Sequence, residues 1–209
     1  MVELDVQPSS DGDAFVFHDD TLARLAGRPE RFRETSSAVL RKIVRTGGGR
    51  IPTFREVVDW ASSRRVALYV EMKFPPLARI SSADDAFIDS VAAAASVLSR
   101  DRFFLASFHI DAVRRARARR PSVRIGWIFE SLWFPFRSPL RRAADMDVLC
   151  PGGRFLSPRR AAGLGRGGRP VYVWTVDDED RARRYARAGV AGIVTNDPAR
   201  IRAALERGA

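Results

Sequence analysis

Cysteine is almost missing from this chain: Cys150 stands alone among 209 residues. No internal disulfide framework can therefore hold the fold, which fits a reducing compartment. Histidine is nearly as scarce. His18 and His109 are the only two, and no His or Cys stands at metal-ligand spacing from another, which disfavours a zinc site. No apolar run is long enough to span a membrane; the longest, near residues 91–98, is short and mostly alanine. The N-terminus has no basic start and apolar middle of a secretory signal, so a cytoplasmic protein is expected. Lysine is confined to Lys42 and Lys73, although Lys and Arg together number 36. No linker, shift in composition or convincing internal repeat divides the chain, and a single domain over residues 1–209 is expected.

What is present is ordinary for a chain with a real core: 45% apolar and 29% charged residues. The net charge of +11 is carried almost wholly by arginine. Genomic base composition is the simpler source of so much Arg beside so much Ala. The functional reading is attraction of an anionic substrate, an acidic membrane surface or nucleic acid. Against that background Lys73 is the more informative cation, because an ammonium supplies a compact point charge for a phosphate oxygen.

The chain is organised around its first strand. In an extended segment residues two apart share a face, so Glu3 and Asp5 lie together while Val2, Leu4 and Val6 take the other side. The pattern returns at residues 68–74, where Leu68, Val70 and Met72 alternate with Tyr69, Glu71 and Lys73. Two such strands would bring three carboxylates and one ammonium to one point, costly unless a cation or a proton compensates. All the likely ligands are oxygens, which favours a hard divalent ion, Mg²⁺ or Ca²⁺. Asp11-Gly12 is a turn signal and residues 14–17 read as a short returning strand. That hairpin would carry His18 back toward the acidic pair, as a candidate acid/base group.

Residues 20–50 read mainly as loop, with a short helix near 36–43. Thr53 and Glu56 form a capping box that opens a helix, and Pro75-Pro76 ends the strand that follows. From there the pattern alternates. Helices are expected at 84–99, 110–119, 157–164, 178–188 and 198–206, and strands at 103–108, 123–129, 147–150, 171–176 and 191–195. Alternation with buried apolar strands implies a parallel sheet covered by helices. Seven strands of this kind fall one short of a closed eight-fold barrel. An open doubly wound sheet is the alternative, but no glycine-rich fingerprint follows the first strand.

Several segments in order resemble the glycerophosphodiester phosphodiesterase family. Glu3-Leu4-Asp5-Val6 is similar to its Glu-x-Asp-Val strand, and His18-Asp19 with Leu22 and Arg24 to its His-Asp-x-x-Leu-x-Arg segment. Ile51-Pro52-Thr53-Phe54-Arg55-Glu56 resembles its Ile-Pro-Thr-Leu-x-Glu helix start, and Glu71-Met72-Lys73 its Glu-x-Lys strand. Trp174-Thr175-Val176 and the run from Gly189 to Pro198 resemble its ending. The resemblance implies an α/β fold, a (β/α)₈ TIM barrel, that hydrolyses glycerophosphodiesters to glycerol 3-phosphate and an alcohol with a divalent metal. It makes Glu3, Asp5 and Glu71 metal ligands, His18 one of a general acid/base histidine pair, and Lys73 a phosphate contact. Trp174 would face the barrel mouth and pack against the glycerol; core packing is the alternative.

One departure stands out. The family begins with a His-Arg-Gly strand carrying the second histidine, and no such motif occurs here, so the barrel is expected to lack its first β/α unit. His109 is expected to be a polar helix-start residue rather than a replacement. A start assigned too far downstream, a deletion, or a non-catalytic descendant would each explain the gap. The alternative function is a non-catalytic or truncated barrel acting as an anion- or nucleic-acid-binding module. Its best support is the basic run from Arg114 to Arg120, which also reads as a solvated helix face. The aromatics Trp133, Phe134 and Phe136 read as a buried lid, or as a contact for a lipid-derived group or a membrane surface.

Overall fold

The computed structural model describes residues 1–95, 97–130 and 143–207. The aromatic segment containing Trp133, Phe134 and Phe136 lies outside the described residues. Two compact units make up the chain, Met1–Arg124 and Ile125–Ala209.

In the first unit the strands are β1 (Val2–Pro8), β2 (Ala14–Val16), β3 (Leu68–Met72) and β4 (Phe103–Ser107). Their order is β2-β1-β3-β4. β1 runs parallel to β3, with Glu3 beside Tyr69 and Asp5 beside Glu71. β3 runs parallel to β4, with Tyr69 beside Phe104 and Glu71 beside Ala106. β2 returns antiparallel along the end of β1, pairing Val16 with Val6 and Phe15 with Gln7. The apolar face of β3 is fully covered, since Leu68, Val70 and Met72 are all buried.

Helices α1 (Ala23–Ala26), α2 (Ser37–Leu40), α3 (Phe54–Ser63), α4 (Asp85–Ala95) and α5 (Ile110–Arg119) complete this unit. The start of α3 is as its sequence requires. Glu56 N–H donates to Thr53 Oγ1 at 3.2 Å, and Thr53 N–H donates to Glu56 Oε2 at 2.7 Å. Two otherwise orphaned donors at the helix start are thereby satisfied. His109 is the N-cap residue of α5, and α4 is shorter than the sequence pattern suggested.

Residues 20–50 are more than a loop. Leu22, Phe32, Leu40, Ile43 and Ile51 pack with Phe15 and Phe17 in one buried cluster. Phe17 stacks on Phe32 with centroids 4.6 Å apart. The apolar residues are spaced too irregularly to betray a helix or strand, so periodicity misses this lobe. Its core grips the two phenylalanines that flank the path from β2 to His18.

In the second unit β5 (Arg124–Phe129), all but its first residue, pairs in parallel with β6 (Val148–Pro151). Bridges from Leu149 to Val171 and from Gly152 to Trp174 lead to β7 (Tyr172–Val173), which pairs with β8 (Gly192–Ile193). Helices α6 (Pro158–Leu164), α7 (Glu179–Arg187) and α8 (Pro198–Glu206) lie between and after these strands. Ser157, Asp178 and Asp197 cap the three helices by accepting from backbone N–H groups. Asp177 gathers the run near the C-terminus, accepting from Thr195 Oγ1 at 2.7 Å and from Asn196 Nδ2 at 2.8 Å. Among the described residues no helix is long and apolar enough to cross a membrane.

Candidate functional site

Strand geometry assembles the acidic cluster. The two-residue period of β1 aligns Glu3 with Asp5, and the parallel register places Glu71 next to Asp5. One carboxylate oxygen from each of the three lies within 4.8 Å of the others. Lys73, two residues beyond Glu71, reaches the same spot, with Nζ 3.5 Å from Asp5 Oδ1 and 3.8 Å from Glu71 Oε1. Beside Glu71 on β4 is Ala106, whose small side chain leaves room at the carboxylate. Beside Glu3 is the buried Tyr69, whose ring stacks on that of Phe104 with centroids 4.5 Å apart.

That setting is unfavourable for bare negative charge. Burial first, then Asp5 and Glu71, push the Glu3 carboxyl up from 4.5 to about 8, with Lys73 opposing. Burial and Asp5 push Glu71 up from 4.5 to about 7, with Lys73 and His18 opposing. The donor set fits a divalent cation. All three side chains offer hard oxygen, and oxygens coordinating one ion at about 2.3–2.6 Å stand at most about 5 Å apart. One ammonium cannot balance three carboxylates.

The hairpin brings His18 to this cluster. Phe17 N–H donates to Asp5 O at 3.0 Å, so the chain runs alongside the acidic strand just before His18. The His18 side chain is largely exposed at 63%, and its Nδ1 lies 2.8 Å from Asp19 Oδ1. Arg24 makes a two-point contact with Asp19, Nε to Oδ2 at 2.6 Å and Nη2 to Oδ1 at 2.9 Å. Bonding to Arg24 holds the Asp19 carboxyl down at about 2. An ionised carboxylate only accepts, so the Nδ1 beside Asp19 carries a hydrogen, and Nε2 is the ring nitrogen at which a proton can be exchanged.

Sequence reasoning identified Glu3, Asp5, His18, Glu71 and Lys73, which the structure brings together. It overlooked Gln7 and Arg33, and gave Asp19 and Arg24 no role. Gln7 continues the face of Glu3 and Asp5, a signal that period two could have supplied. Nothing in the sequence signals Arg33, which reaches the site from the irregular lobe. Trp174 belongs to the second unit. It is half-buried, and its indole N–H donates to Cys150 O at 2.8 Å. Part of the basic run on α5 is committed: Arg115 pairs with Asp85 at 2.8 Å, and Arg119 pairs with Asp85 and Asp89.

Comparison with known proteins agrees with this geometry. Residues 1–200 match the profile of the glycerophosphoryl diester phosphodiesterase family. A glycerophosphodiester phosphodiesterase of Caldanaerobacter subterraneus subsp. tengcongensis is 26% identical over 205 residues, covering 94% of this chain and 82% of that protein. A solved structure from Silicibacter pomeroyi superimposes with a TM-score of 0.85 at 22% identity, over 98% of this chain and 82% of the other. An Oleispira antarctica phosphodiesterase, solved with the product sn-glycerol-3-phosphate, gives 0.83 at 22% identity over 98% and 84%. The α/β fold is accordingly that of the (β/α) barrel class expected from the strand–helix alternation.

Proposed function

Because this chain belongs to the glycerophosphoryl diester phosphodiesterase family, matching it over residues 1–200, we propose that it hydrolyses glycerophosphodiesters to glycerol 3-phosphate and an alcohol. Glu3, Asp5 and Glu71 would hold the divalent cation, Mg²⁺ or Ca²⁺. The observation that carries this reading is the meeting of three carboxylates and Lys73 beside an exposed histidine oriented by an ionised carboxylate. A cation bound there would polarise the phosphoryl group and lower the pKa of an attacking hydroxyl or water.

The chain's own residues do the rest. Lys73 offers an ammonium to a phosphate oxygen from among the carboxylates. His18 takes or gives a proton at Nε2 while Asp19, clamped by Arg24, fixes its orientation and steadies the imidazolium.

The test is release of glycerol 3-phosphate from a glycerophosphodiester by the purified chain with Mg²⁺ or Ca²⁺. Activity should vanish with a chelator and return with the ion. Glu71→Gln should cost at least about 100-fold, the upper end of what losing a ligand's support costs. His18→Ala should cost about 10²–10⁴-fold. Equal, metal-independent rates for the parent and Glu71→Gln would remove the ligand assignment.

A further inference from the structure

Gln7 is 1% exposed, on the same face of β1 as Glu3 and Asp5. Its Nε2 lies 3.0 Å from each of three successive carbonyl oxygens, those of Phe17, His18 and Asp19. Two N–H hydrogens thus serve three acceptors, one being shared. These carbonyls come after β2 ends at Val16. The amide supplies donors to the chain just where the strand ladder stops.

The orientation of that amide is itself dictated. Arg33 Nε donates to Gln7 Oε1 at 3.4 Å, and Arg33 Nη2 donates to the carbonyl oxygen of Lys73. A guanidinium has only donors, so Gln7 must turn its oxygen to Arg33 and its NH₂ to the carbonyls. Arg33 is also held over the Phe74 ring at 5.5 Å. One chain of hydrogen bonds therefore runs from the main chain of Lys73, through Arg33 and Gln7, to the segment bearing His18. The hairpin does not need it to close, because Phe17 N–H already bonds to Asp5 O and the phenylalanines are packed.

We propose that Gln7 is a positioning residue that fixes the His18 imidazole against the acidic cluster, with Arg33 locking the amide in the orientation that does so. This rests on the reading that His18 handles the proton. A nitrogen displaced by about 1 Å costs about 100-fold in rate, whereas the carboxylates and Lys73 are left in place.

The experiment is a double-mutant cycle with a spectroscopic control. Gln7→Leu should lower kcat by about 10- to 100-fold with KM changed less than about threefold. In a His18→Ala background the same substitution should change kcat less than about threefold, since the positioned group is gone. Arg33→Met, which leaves the carbonyl bonds possible, should act in the same direction with a smaller loss. An equal loss in both backgrounds, or parent kcat in Gln7→Leu, overturns the proposal. With only two histidines in the chain, ¹⁵N-histidine NMR reads the same question without turnover. The His18 signals should shift or broaden in Gln7→Leu and in Arg33→Met, while those of His109, whose ring packs on the Phe74 that Arg33 covers, stay in Gln7→Leu. Unchanged His18 signals in both variants overturn the proposal even if the parent chain proves inactive, an outcome that would instead count against the hydrolase reading.

Discussion

Burial and neighbouring carboxylates raise Glu3 to about 8 and Glu71 to about 7. Without a cation the folded chain therefore holds protons that the unfolded chain releases near 4.5. The stability they contribute is fully present below that value and is lost as pH rises through 7 and 8. Metal-free protein should accordingly lose melting temperature between about pH 5 and pH 8, and added Mg²⁺ or Ca²⁺ should restore it. Glu3→Gln should flatten that slope and raise the metal-free Tm at pH 8, by about 2–4 °C for each kcal/mol relieved in a chain of this length. Identical slopes in parent and variant would contradict the assignment. The acids were legible in the sequence because a period of two leaves few ways to arrange Glu3, Asp5 and Glu71. Gln7 was not, since a glutamine in a strand looks like ordinary polar surface until its partners prove to be carbonyls 10 to 12 residues away.

Individual elements divide by whether a local rule governs them. The α3 capping box needs only Thr53 and Glu56 at their spacing, and it forms. Thr53→Ala should cost about 1 kcal/mol in chemical denaturation, within the range of about 0.5–2 for caps; no loss would mean that tertiary packing alone sets the helix start. The lobe at residues 20–50 follows no local rule, because its buried side chains meet through tertiary packing on the β2 hairpin rather than through any repeat. Phe32 is fully buried and contacts both Phe15 and Phe17. Phe32→Ala should destabilise by about 3–5 kcal/mol and lower kcat more than metal affinity, because the lobe core steadies the approach to His18. Equal effects on both quantities would count against that separation. The strands β7 and β8 are shorter than their apolar runs suggested, since ladder hydrogen bonds rather than hydrophobicity set a strand's length.

At the scale of the molecule, alternation of strand and helix made the fold class readable, and no single residue was needed for it. We propose that residues 1–209 form one domain, which predicts a single melting transition shared by fluorescence and circular dichroism; two separated transitions would contradict it. The function depends on a narrower claim, that three carboxylates are tolerable together because a divalent cation belongs among them. Isothermal titration of metal-free protein near pH 8 with Mg²⁺ or Ca²⁺ tests it most directly. The account predicts one ion bound per chain and an affinity at least about tenfold weaker in Glu71→Gln. Absence of binding, or binding unchanged by that substitution, would contradict it.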